Sequence, residues 1–305
     1  MNTPSAAAAP QPFSSSASQP APASQPAPVS HRLSRFADPA YRVTFWRSFL
    51  SSWYKITHTG SIRWVTVCGV VVTVLFAAII TFSFATLDEM GAILSPSKLQ
   101  ITASYVALVG MMGLAMLFFL AFGALSVTNE YSVGTMRITA LADASRIREF
   151  LGRGLAIWLY ALVVGIVVLL ATLLCLALFG VGFSTSGPML SVYLLYAPVL
   201  ACSSLLAMGV GYALRSSAGA IVLTVAVILL GDLVRLIPIK FVQEQLVQFL
   251  PHAAFPAALT PEETRHIVMD VTDQYLPQWA GFLVFLAWTI GACAIGFAKY
   301  RKSDV

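Results

Sequence analysis

Six long apolar runs most constrain how this chain can fold. They cover residues 65–84, 103–127, 155–179, 191–214, 218–238 and 278–297. A helix needs about 20 apolar residues, rising 1.5 Å each, to cross a hydrocarbon core of about 30 Å. Lipid offers no partner for open backbone N–H and C=O groups, so each run must be helical. The runs lack the alternation of β-barrel strands. The sequence therefore predicts an all-α integral membrane protein with six transmembrane helices.

The chain consists of two regions that differ in amino-acid composition. Of the 305 residues, 58% are apolar and only 10% are charged, whereas a soluble domain carries about 25% charged residues. Residues 1–40 are instead rich in Ala, Pro, Ser and Gln. Such a segment cannot bury enough apolar surface to offset its ordering entropy. We expect a disordered cytoplasmic tail over 1–40 and a six-helix transmembrane domain over 61–302.

Residues 41–60 predict an interfacial amphipathic helix, strongest over 41–57. Its apolar side chains recur at helical spacing and fall in one arc: Phe45, Trp46, Phe49, Leu50, Trp53 and Ile56. The other face carries Arg47, Ser48, Ser51 and Lys55. The segment is too short and too charged to span. Tryptophan on one face and basic residues on the other suit a helix lying on an anionic leaflet.

The distribution of basic residues predicts the orientation. If the N-terminus is cytoplasmic, 14 of the 18 Lys and Arg residues fall on the cytoplasmic side and four outside. This bias follows the positive-inside rule and places both termini in the cytoplasm. It predicts a multi-pass protein of the bacterial cytoplasmic membrane. The net charge is +5, and the basic residues lie at the ends of the predicted helices. This distribution favours membrane lipid as a partner, because a nucleic-acid site would cluster them on one folded surface.

Two loops are long enough to carry function. The cytoplasmic loop 128–153 reads TNEYSVGTMRITALADASRIREFLGR. Glu130 is favourable near a helix N-terminus, Gly134 permits a sharp break, and Asp143 or Ser145 can cap a second short helix. Three arginines can bind acidic groups on a partner or lipid headgroups: Arg146, Arg148 and Arg153. The external loop 239–277 is net negative and is expected to form short helices over the membrane mouth.

The cytoplasmic loop carries a resemblance to a known family. The pattern E-Y-x-x-G-T-x-R is formed by Glu130, Tyr131, Gly134, Thr135 and Arg137. With the basic stretch 146–150 that follows, it resembles the type-2 ABC transporter permease family. The entry 52–56 and the basic exit 300–302 are also similar, so the resemblance covers roughly 45–302. Residues 143–145 read Asp-Ala-Ser, where members of the family often place a proline.

The resemblance implies an architecture. Two such subunits, identical or different, would pair around a central pathway, and two ATPase subunits would dock on their cytoplasmic coupling helices. ATP and Mg²⁺ would bind the ATPases and no cofactor would bind this chain. The residues implied in ATPase coupling are Glu130, Tyr131, Gly134, Thr135, Arg137, Asp143, Arg146 and Arg148.

Motifs that the sequence lacks sharpen this expectation. It contains no G-x-x-x-x-G-K-[ST] phosphate loop, so ATP hydrolysis is assigned to a partner. It also lacks the E-A-A-x-x-x-G loop of import permeases, which favours export. A non-transporting membrane protein that acts by binding, of the immunity or sensor type, is the alternative.

Other candidate sites are weaker. Asp232 and Arg235 lie three residues apart and would share one helix face. They predict either a polar site lining the outer pathway or a locally paired couple at the end of a span. The four histidines are scattered and the four cysteines are isolated. We therefore expect no metal site and no catalytic residue.

Overall fold

A computed structural model describes residues 44–86, 95–136, 145–229, 245–265 and 276–302, together with residues 231, 233, 234, 239 and 241. Helices account for 89% of these residues, and no strand occurs among them. The prediction of an all-helical fold is confirmed at this level. Asp232, Arg235, Arg137 and Asp143 lie outside the described residues, as does the predicted tail 1–40.

Nine α-helices occur in the described part of the chain. They are α1 (Phe45–His58), α2 (Gly60–Thr86), α3 (Pro96–Tyr105), α4 (Met112–Val133), α5 (Arg146–Leu178), α6 (Gly187–Leu214), α7 (Ser217–Leu229), α8 (Pro251–Ala257) and α9 (Gln278–Lys302). A π-helical turn, Val106–Gly110, joins α3 to α4. The continuous stretch Pro96–Val133 is therefore 38 residues long.

Five helical stretches are long and apolar enough to cross a membrane: α2, Pro96–Val133, α5, α6 and α9. They indicate a multi-pass membrane protein. The run 218–238 behaves differently. Its helix, α7, has 13 residues, which is about 20 Å and too short to cross alone. Most of the residues that follow Leu229 lie outside the described part, so the sixth span stays a prediction.

Helix α6 lies at the centre of the bundle. In the most apolar stretch of α6, 67% of the residues are buried, whereas the corresponding share is 22% in α2 and in α9. Glycines let its neighbours approach closely. A side chain at Gly123 of α4 would overlap the backbone of Ser204, and one at Gly209 would overlap Ala292 of α9. Lipid gives apolar helices no hydrophobic reason to associate, so close packing through small residues supplies the attraction.

The segment 245–265, predicted to be part of an external loop, packs along the side of α9. It contains the 3₁₀ turn Val247–Phe249, α8 and the 3₁₀ turn Glu262–Thr264. The Trp288 indole N–H donates to the Phe249 carbonyl at 2.8 Å. Trp288 is ten residues into α9, about 15 Å from its start. The segment therefore reaches the middle of α9 instead of covering only its end.

The π-helical turn directly follows two residues that make polar contacts with other segments. Its residues Ala107, Leu108 and Val109 are buried. Just before it, the Tyr105 hydroxyl lies 2.7 Å from the Thr260 hydroxyl. The backbone N–H of Ser184 donates to the Ser104 hydroxyl at 3.2 Å. The turn thus separates a hydroxyl-bearing part of the helix from the apolar part that packs on α6.

Helix α1 packs on the bundle differently from the sequence prediction. Its buried residues are Ser48, Phe49, Ser52 and Ile56, whereas Trp46 and Leu50 of the apolar arc are 60% and 47% exposed. Ser48, which the helical spacing places on the polar face, lies against Gly152 of α5. The missing side chain of Gly152 leaves room for a serine, so a small polar face is buried here.

Candidate functional site

The residues of the E-Y-x-x-G-T-x-R pattern lie where α4 ends. Glu130 and Tyr131 belong to its last turn. Gly134 adopts a left-handed conformation with φ of 74°, which only glycine enters without strain, and it ends the helix. Thr135 follows on the exposed surface. We call this end of the bundle, where α4, α6 and α9 finish and α5 begins, the basic end.

Arg146 and Arg148 belong to a long helix in the structure. The chain enters α5 at Arg146 and stays helical to Leu178. These arginines therefore occupy the first turn of an apolar spanning helix, not a separate short helix. The short helix that Ser145 was expected to cap is therefore not formed, because the helix that follows Ser145 has 33 residues. Residues 137–144, including Asp143, lie outside the described residues.

Four charged side chains meet at the basic end, and we call them the Glu130 cluster: Lys55, Glu130, Glu149 and Arg153. The Arg153 Nη2 atom lies 2.7 Å from Glu130 Oε2 and 2.6 Å from Glu149 Oε1. The Lys55 Nζ atom donates to Glu130 Oε1 at 3.0 Å. The cluster therefore joins α1, α4 and α5 through a single carboxylate, that of Glu130.

The cluster is balanced in charge and largely buried. The side chain of Arg153 is 3% exposed and that of Glu130 is 14% exposed, while Lys55 remains 42% exposed. Taking charges out of water is costly unless each is paired, and removing one partner of a buried pair costs about 3–5 kcal/mol. Two acids and two bases satisfy this requirement. Arg153 is the centre of the cluster, because it contacts the carboxylates of both Glu130 and Glu149.

Aromatic rings enclose the inner side of the cluster. The Tyr212 hydroxyl of α6 donates to Glu149 Oε2 at 3.4 Å, which is a long bond. The Tyr212 ring packs 4.9 Å from Phe150 and 5.1 Å from Tyr300, between centroids. Rings at these distances exclude water and lower the local dielectric, which strengthens the ion pairs beside them.

Arg146 makes a second connection at the basic end. Its Nη1 atom donates to the carbonyls of Tyr300 and Arg301, at 3.0 and 2.8 Å. The last carbonyls of a helix have no partner within the helix and attract cations. The start of α5 is thereby attached to the end of α9.

The sequence identified part of this site. It placed Glu130 near a helix N-terminus, whereas Glu130 lies in the last turn of α4. It assigned Arg153 to acidic groups on a partner or to lipid headgroups, whereas Arg153 is 2% exposed and pairs with Glu130 and Glu149. It did not single out Glu149, and it placed Lys55 on the polar face of α1, opposite the apolar arc. The spacing of Glu149 and Arg153, four residues apart at the start of an apolar run, was the available signal for a helical ion pair.

No protein-family model matches this chain, and no curated protein matches it.

Proposed function

We propose that this chain is the membrane-spanning subunit of an ATP-driven ABC exporter in a bacterial cytoplasmic membrane. A separate ATPase would supply the energy, and a second permease, identical or different, would complete the pathway. The observation that supports this most is the position of Glu130. It lies in the E-Y-x-x-G-T-x-R pattern and bonds both Lys55 of α1 and Arg153 of α5.

The connections at the basic end suit a coupling role. The segment 137–144 joins the end of α4 to the start of α5. A partner that displaces this segment would move α4 and α5 directly. It would also move α1 through Lys55 and α9 through Arg146. Coupling of this kind needs a contiguous network of packed and bonded groups that can adopt two arrangements.

ATP and Mg²⁺ are assigned to the partner in this proposal. The chain has no phosphate loop that could cradle a nucleotide through backbone N–H groups and a lysine. Its own residues would receive movement instead of performing chemistry. The basic end would face the cytoplasm, in agreement with the positive-inside rule.

Site-specific photocrosslinking tests the proposed partner. Val133 and Leu190 are apolar residues at opposite ends of the bundle, 75% and 64% exposed. A photoreactive amino acid at Val133 should crosslink a protein that carries a phosphate loop, and the same probe at Leu190 should not. Absence of an ATPase adduct at Val133, or equal adducts at both positions, would favour the non-transporting alternative.

Thiol labelling tests the orientation. Glu263 and Lys302 are exposed residues near opposite ends of the bundle. An impermeant maleimide applied to intact cells should label Glu263→Cys and leave Lys302→Cys unlabelled until the membrane is opened. The reverse pattern would place the basic end outside and remove the proposed ATPase site.

A further inference from the structure

A long apolar groove runs along one side of the bundle. It has a volume of about 770 Å³ and lies between α6, α7 and α9, with Phe249 and Pro251 at one end. Several lining side chains are exposed at the bundle surface, including Ile295 at 60% and Leu223 at 45%. The groove is therefore open to whatever surrounds the bundle. Its volume lies within the range of about 300–1,000 Å³ that is typical of small-molecule sites.

Along α9 the groove is about as long as one leaflet of a bilayer is thick, and a smaller opening of about 380 Å³ adjoins it at Pro251 and Trp288. Along α9 its lining runs from Val284 to Lys299, a stretch of 16 residues that rises by about 22 Å at 1.5 Å per residue. One leaflet with its headgroups is about 20–22 Å thick, half of the 40–45 Å of a whole bilayer.

The lining of the groove complements a lipid with an anionic headgroup. Nearly all of the lining side chains are apolar, and Lys299 is the only charged residue among those that the structure describes there. The Thr224 hydroxyl is already used, because it donates to the Ala220 carbonyl of its own helix. The Lys299 Nζ atom makes one long bond, 3.5 Å to the Ala213 carbonyl.

The position of Lys299 fixes the direction of the occupant. It lies at the basic end, where Arg301 and Lys302 follow it on the exposed surface. Lysine and arginine near a membrane surface attract anionic headgroups at the depth of the phosphates. The apolar remainder of the groove extends from Lys299 toward the middle of α9, which is the direction that an acyl chain takes from its headgroup.

We infer that the groove binds an anionic phospholipid, with an acyl chain along α9 and the phosphate against Lys299. The inference does not depend on the exporter role. It requires only that the bundle lies in a membrane. The lipid would occupy the leaflet at the basic end and would bridge α6, α7 and α9.

Gly291 offers a way to fill the groove without disturbing the bundle. It lines the groove, and a side chain there would meet no atom within 4 Å. Gly291→Leu should therefore occupy the acyl-chain position and raise helix propensity at the same time. Gly113→Leu is the matched control, since Gly113 is also in open space but does not line the groove. Lys299→Gln tests the headgroup, with Lys98→Gln as its control, because Lys98 is an exposed lysine of α3 that does not line the groove.

The experiment is native mass spectrometry of the delipidated full-length chain in mild detergent. It is titrated with phosphatidylglycerol or phosphatidylcholine of the same acyl chains. The unmodified chain should bind phosphatidylglycerol about fivefold more tightly, the preference expected for one lysine at the phosphate. Lys299→Gln should remove that preference, and Gly291→Leu should weaken binding of both lipids. Both control variants should bind like the unmodified chain.

Two results would overturn the inference. In the first, Gly291→Leu binds phosphatidylglycerol as the unmodified chain does. Its unfolding temperature must equal that of Gly113→Leu, which shows that the variant is folded. In the second, Gly291→Leu leaves lipid binding unchanged and converts a dimer to a monomer in the same spectra. The groove would then be an interface between copies of the chain. Either result leaves the photocrosslinking test of the exporter proposal unaffected.

Discussion

Helices of this bundle are joined in two different ways, at the α6–α9 contact and at the Glu130 cluster. In the first, Gly209 and Gly296 bring two backbones together. In the second, Lys55, Glu130, Glu149 and Arg153 join three helices through charges. Close backbone packing has one satisfactory arrangement, whereas ion pairs can exchange partners within a group. We therefore expect α6 and α9 to behave as a fixed unit and the ion pairs around Glu130 to tolerate more change in geometry.

The largest effect is expected at the fixed contact. Gly209→Leu would force a side chain into the backbone of Ala292 and Cys293. Overpacking that neighbouring side chains can relieve costs about 1–3 kcal/mol. Backbone cannot move aside as a side chain can, so the loss here should exceed that range and prevent α6 and α9 from packing at all. We expect little monodisperse protein after detergent extraction. Gly113→Leu, at an open position, should be extracted normally, and equal recovery of the two variants would contradict a fixed α6–α9 unit.

A second large effect is expected at Arg153. Arg153→Leu leaves Glu149 and half of the Glu130 carboxylate without an ionic partner. Breaking a buried pair in this way costs about 3–5 kcal/mol, which thermal unfolding of the purified protein would measure. The double variant Arg153→Leu with Glu149→Leu should recover part of the loss, because it removes the unpaired buried acid. No recovery would show that Arg153 stabilises the fold through packing alone.

Glu130→Gln should separate stability from coupling. The amide keeps the shape of the side chain but loses the charge that binds Arg153 and Lys55, a loss of about 1.5–3 kcal/mol for bonds to charged groups. We expect normal membrane levels and normal ATPase co-purification, with ATP hydrolysis by the complex lowered roughly tenfold, the effect of 1.36 kcal/mol on a barrier. Full hydrolysis and export in this variant would refute a coupling role for Glu130.

The smallest effect is expected at the exposed edge of the cluster. Lys55 is 42% exposed, and an ion pair in contact with water contributes about 0.2–1 kcal/mol. Lys55→Gln should therefore lower the unfolding temperature only slightly. The difference from the unmodified chain should vanish in about 1 M salt, where charges are screened within about 3 Å. A difference that persists in high salt would mean that Lys55 stabilises the fold through the packing of its aliphatic stem instead of through its charge.

The sequence predicts some of these features far better than others. Lipid as a solvent requires long apolar helices, so five of the six predicted runs correspond to helices of spanning length. The contact between Lys55 and Glu130 joins residues 75 positions apart and depends on how α1 packs against α5. Periodicity placed Ser48 on an outer face, but the surface opposite it is Gly152. A hydrophobic pattern identifies a face and does not identify the shape of its partner.

The π-helical turn Val106–Gly110 has a consequence for the rotational phase of its helix. A π turn accommodates about one residue more than an α turn, which rotates the preceding residues by about 100°. Without it, Ser104 and Tyr105 would point away from Ser184 and Thr260, while Gly123 would still face α6. Because of the turn, one 38-residue helix contacts Ser184 and Thr260 with one face of its first part and α6 with another face of its second part. Deleting one residue within the turn would restore a regular α-helix and keep these two faces in phase, whereas straightening the turn without a deletion would rotate Ser104 and Tyr105 away from their partners.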